Sequence, residues 1–100
     1  MEMNSTTQTQ HTPGPWEVIV PPTISGDSRW VMGPDEKPIA QINWGREQDE
    51  RFANARLIAS APDLLAALEA ADEVLAHEGY QDSQPVRASI RLALARARGL

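Results

Sequence analysis

The sequence predicts an α+β fold: a small antiparallel three-stranded sheet in the N-terminal half, followed by two to three helices that include an antiparallel helical hairpin. Three observations predict it. Short apolar runs separated by proline and glycine fill residues 13–45, helical periodicity takes over from about residue 46, and proline and glycine mark where helices begin and end. A chain of 100 residues makes at most one domain and has a modest core. Residues 1–12 (MEMNSTTQTQHT) hold too little apolar material to offset their ordering entropy. They are expected to be a disordered tail, and residues 13–100 a single α+β domain.

The strand candidates lie between the breakers PGPW, VPP, SGDS and GPDEKP. The first is Trp16–Val20, which alternates imperfectly and ends at Pro21-Pro22, because proline donates no ladder hydrogen bond. Arg29–Met32 is the second. The third, Ile39–Trp44, alternates well, with Ile39, Gln41 and Asn43 on one side and Ala40, Ile42 and Trp44 on the other. Gly33–Lys37 has the composition and length of a hairpin loop. Three short strands are stable only with one face covered, so a helix is expected to lie on them.

The first helix candidate opens with Gln48-Asp49-Glu50, acids that suit the positive end of the helix dipole. Phe52, Ala55 and Ile58 or Ala59 follow at helical spacing. Ser60-Ala61-Pro62-Asp63 then reads as a restart, with Ser60 and Asp63 forming a capping box and Pro62 in the first turn, where its missing N–H is no loss. A second helix is expected from about 61 to 78, with Leu64, Leu68, Ala71 and Leu75 as its stripe and Gly79 as its C-cap. After the loop 80–85, Asp82 or Ser83 is the expected cap of a third helix that buries Val86, Ile90, Ala93 or Leu94, and Ala97. The last two helices are opposite in charge: Asp63, Glu69, Asp72, Glu73 and Glu78 on one, Arg87, Arg91, Arg96 and Arg98 on the other. Such helices pair as antiparallel neighbours, either within one chain or between two.

Composition excludes several function classes. Cysteine is absent, so disulfides, thiolate chemistry and Cys-ligated metals are out. A net charge of −5 argues against a broad duplex-DNA surface. No stretch approaches the length of a membrane span and no secretory segment is evident, which makes the cytoplasm the expected setting. His11 and His77 have no metal-ligand spacing, and no nucleophile elbow, P-loop, dinucleotide or zinc-protease motif occurs. No catalytic residue, metal or cofactor is therefore expected, and the chain is read as a non-enzyme. Alanine contributes little burial energy at ~25 cal/mol per Å², so a helix-rich, alanine-rich chain is expected to gain compactness as a homo-oligomer.

The residues suited to binding are few. Trp16, Trp30 and Trp44 serve either the sheet's share of the core or, near a rim, stacking on a planar base. Asn43, Arg46, Arg51, Asn54 and Arg56 gather around the strand-to-helix passage, where arginine forks match phosphate oxygens. The same residues also suit a plain solvated helix face.

Two segments, HTPGPWEV at 11–18 and ANARLIASAPDLLAALE at 53–69, resemble a widespread class of small phage and prophage proteins of mostly unassigned function, which carry a TPGPW-like opening and an NARLIAxAPxLLxAL-like helix pair. In architecture (small sheet, helical pair, multimer) the chain also resembles the phage anti-Thoeris sponges, which sequester nucleotide immune signals. That resemblance implies an anti-defence protein of the host bacterial cytoplasm, homo-oligomeric, trapping a small anionic cyclic nucleotide without cleaving it. Its expected ligand-binding residues are Trp16 or Trp44 for stacking, Arg46 and Arg51 for phosphate, and Asn54 for hydrogen bonding. The rival reading is a protein-interaction module or inhibitor that engages a host or phage protein through the acidic helix 61–78.

Overall fold

A computed structural model of the protein describes residues 10–22 and 26–99. Its elements are β1 (Glu17–Ile19), β2 (Arg29–Met32), β3 (Pro38–Ile42), α1 (Gln48–Ala59), α2 (Ala61–His77) and α3 (Pro85–Ala97). This is the α+β arrangement the sequence predicts. Residues 1–9 of the expected disordered tail lie outside the described residues. The chain divides into two units, one up to Ala59 and one from Ser60 onward.

In the first unit the strands form an antiparallel meander in the order β1-β2-β3, with Ile19 opposite Trp30 and Trp30 opposite Gln41. α1 packs against all three strands. The core is small. Val31, on the central strand, and Ala55, on α1, are both fully buried. A β-branched residue fills the pleat and an alanine lets the helix approach closely. Gly33 and Lys37 close the β2–β3 loop through a 3.0 Å backbone bond, and the Asp35 carboxylate accepts from the Lys37 amide at 3.3 Å.

The bounds of two strands depart from the sequence reading. Trp16 and Val20 fall outside β1, and β3 ends at Ile42, leaving Asn43 and Trp44 out of the sheet. Past Ile42 the chain bends away through Gly45, whose φ of +101° is glycine's region. Val31 faces Ala40 while Met32 faces Pro38, so Ile39 is the extra residue of a bulge. That is why Ile39 and Ala40 are both half-buried although they are adjacent in sequence.

The second unit is the α2–α3 hairpin. α2 does restart at Ala61, but the capping box does not form. Ser60 keeps helical backbone (φ −83°, ψ −6°) and its side chain makes no cap hydrogen bond. Its carbonyl instead accepts from the Leu64 amide at 2.9 Å, the first helical bond of α2. The far end behaves as the glycine predicts. Gly79, at φ +93°, donates to the Ala76 carbonyl and Tyr80 to the Leu75 carbonyl, the paired bonds of a Schellman motif.

α3 departs further. Gln84, not Asp82 or Ser83, occupies the N-cap, and its side-chain carbonyl accepts from the Gln81 amide at 2.7 Å. Asp82 is drawn away by Arg87, whose guanidinium lies 2.6 Å from its carboxylate. The buried face of α3 is Arg87 and Leu94 rather than one led by Val86, which is 52% exposed. On α2, likewise, Leu65, Leu68, Asp72 and Leu75 are half-buried, whereas Leu64 is exposed.

The opposite charges of the two helices meet within one chain. Arg87 Nε donates to Asp72 Oδ1 at 2.9 Å, Arg91 reaches Asp72 Oδ2 at 3.2 Å, and Arg98 reaches Glu69 at 2.9 Å. Arg87 also donates to the Tyr80 carbonyl at 3.0 Å. Its guanidinium thereby joins α2, the connecting loop and α3.

Two substitutions test this reading. Asp72→Ala takes from the buried Arg87 guanidinium one of its two carboxylates, leaving Asp82, and is expected to cost about 2 kcal/mol, measured by urea unfolding. Gly79→Ala forces a side chain into left-handed backbone and is expected to cost about 1 kcal/mol, with the loss read as a lower thermal midpoint.

Candidate functional site

The strand-to-helix passage is held by side chains hydrogen-bonded to one another and to nearby backbone carbonyls. After β3, the Asn43 side chain accepts from Trp30 Nε1 at 3.1 Å, which fixes the first residue beyond the sheet. Gly45 then turns the chain toward α1. Arg51, on the first turns of α1, donates through Nε to the Asp27 carbonyl at 3.2 Å and through its terminal nitrogen to the Arg46 carbonyl. Gln48 donates to the Asp27 carboxylate at 2.9 Å. Arg29 bonds the Gly26 and Ser28 carbonyls, both at 2.8 Å, and lays its guanidinium 3.7 Å over the Phe52 ring. The cation–π contact adds to burial of the ring face.

The candidate binding residues therefore divide by role. Arg51 ties the 26–28 turn and the 43–46 passage to α1. Trp44 is 83% exposed, far more than a tryptophan of the core. Arg46 is exposed and approaches Glu50 at 3.7 Å in an i,i+4 pair, a contact that contributes little at a surface. Asn54 is exposed on α1. Trp16 stands apart from Trp44. Glu17 pairs with Met32 and Ile42 with Arg29, so Trp16 and Trp44 flank opposite ends of the meander. There Trp16 Nε1 donates to the Thr12 carbonyl at 3.0 Å and its ring meets His11 edge-on at 6.3 Å.

Trp44 and Arg46 thus offer a flat aromatic face and a guanidinium on one short, braced segment. Glu47, Asp49 and Glu50 follow them in the sequence, and an anion bound at Arg46 Nε competes with Glu50. Sequence reasoning missed the Arg29–Phe52 stack and the Gln48–Asp27 bond. Both span some twenty residues, and nothing local in the sequence signals them.

Among the described residues, no three His, Asp or Glu side chains gather to hold a metal ion, and no helix is long and apolar enough to cross a membrane. If Arg51 acts as the brace described, Arg51→Ala loosens the 26–28 turn. Faster amide exchange confined to residues 26–30 and 44–51, with a stability loss of about 1–2 kcal/mol, is the expected result.

A family model described as Salmonella phage P22 protein Y8K6 matches residues 1–100. No curated protein and no solved structure shows a significant match. The match covers the sheet, α1 and the α2–α3 hairpin alike, and it agrees with the resemblance to small phage proteins. The chain belongs to the Salmonella phage P22 protein Y8K6 family.

Proposed function

We propose that this phage protein is a non-catalytic, homo-oligomeric anti-defence protein of the host cytoplasm that binds and sequesters a small cyclic nucleotide-type signal. The observation that carries the reading is Trp44, 83% exposed and two residues before the exposed Arg46. An aromatic face stacks on a base regardless of its identity, and a guanidinium fork matches a phosphate. The brace formed by Trp30, Asn43 and Arg51 holds this segment in place, which lowers the ordering cost of binding. Asn54 supplies an exposed amide on α1, and Arg51 contributes by holding the Arg46 backbone.

The rival reading, engagement of a protein partner through the acidic helix, loses part of its charge to the chain itself. Asp72 and Glu69 are already paired with arginines of α3.

A thermal-shift panel of cyclic mono-, di- and trinucleotides tests the proposal. At a hundredfold excess over its dissociation constant the cognate nucleotide is expected to add about 2.7 kcal/mol of stability. Trp44→Ala and Arg46→Ala, both at exposed positions, are expected to fold normally and to abolish the gain. A panel in which no nucleotide shifts the midpoint contradicts the reading.

A further inference from the structure

The α2–α3 hairpin divides its surface by charge. On one side, Asp72 and Glu69 meet Arg87, Arg91 and Arg98. On the other side, both helices are apolar at three-and-four spacing: Leu64, Ala67 and Val74 on α2, and Val86, Ile90 and Ala93 on α3. This second side is open. Leu64 is 49%, Val74 60% and Val86 52% exposed. α2 buries none of its residues, and among the described residues from Ser60 on, Leu94 is the one apolar side chain that is buried. A helix stripe of this kind is stable when it packs against another element.

Charge selects what packs there. From Leu64 to Val74 and from Val86 to Ala93 the strip carries none, while Asp63 lies at its α2 edge, Glu78 closes its α2 row at the C-cap and Arg96 lies at its α3 edge. A two-fold axis parallel to the helices would set α2 of one copy antiparallel on α3 of the other, with the acidic edge of each beside the Arg96 edge of its mate. The other face-to-face arrangement, α2 on α2, sets Asp63 and Glu78 against their own copies and is disfavoured by repulsion. We infer that this face receives a second copy of the chain, closing an antiparallel four-helix bundle. The inference deepens the homo-oligomer part of the proposed function and does not depend on its ligand.

Light scattering and sedimentation equilibrium on the full chain, without nucleotide, test it. At about 100 µM the wild type is expected to be a dimer or a multiple of one. Val74→Lys changes an exposed position, so its helical circular dichroism is expected to persist while the assembly falls to monomer. Asp63→Arg and Arg96→Asp are each expected to raise the dissociation constant about twofold to fivefold, and the two together to restore it. A monomeric wild type overturns the inference, as does a Val74→Lys chain that assembles like wild type. A dimer that ignores every nucleotide leaves the interface standing and defeats the ligand reading. A monomer stabilised by nucleotide does the reverse.

Discussion

The Arg87 guanidinium is the contact on which the helical unit depends. It is 8% exposed, is more buried than the Val86 expected to lead that face, and answers to three acceptors: the Asp72 carboxylate, the Asp82 carboxylate and the Tyr80 carbonyl. An ion this enclosed is tolerated only when its donors are satisfied. One acceptor lies on α2 and two on the connecting loop, so satisfying Arg87 also sets where α3 lies along α2. Part of each helix's single-sign charge run, Glu69 and Asp72 on α2 and Arg87, Arg91 and Arg98 on α3, makes up one ion-pair face.

That face has a consequence for the rest of the hairpin. With carboxylates and guanidinium groups gathered on one side, the other side is left to leucine, valine, isoleucine and alanine, open to solvent. The first unit solves the same shortage of core differently. Its α1 lies on the meander, and Arg51, Arg29 and Gln48 pull the 26–28 turn onto that helix through backbone carbonyls and one carboxylate. Arg51, a cation that looked available for a ligand, is thus engaged in bracing. Trp44 and Arg46 are what the bracing leaves outward.

Much of the fold was legible in the sequence because its signals are local. Pro21-Pro22, the Gly33–Lys37 loop, Pro62 and Gly79 each impose a backbone constraint within a few residues, and the structure places breaks at all of them. The errors arose where another contact or the backbone path outweighed the expected local preference. Asp82 was expected to cap α3 but pairs with Arg87; Ser60 was expected to form a capping box but continues the helical path; Ile39 was assigned by alternation but sits on a bulge. The candidate site was legible as a group of residue types near one passage. The separation of Trp16 from Trp44 required the strand register, and the bracing role of Arg51 required the 26–28 turn, neither of which periodicity encodes.

The most direct measurement is a double-mutant cycle in urea on Asp72→Ala, Arg87→Ala and the combined variant. If the clamp organises the hairpin, either single change strips a partner from an enclosed network, Arg87 keeping Asp82 and Tyr80 and Asp72 keeping Arg91, and the double variant loses less than the sum of the two, by about 1–3 kcal/mol. Strict additivity would show that the two residues act independently, and would contradict the account.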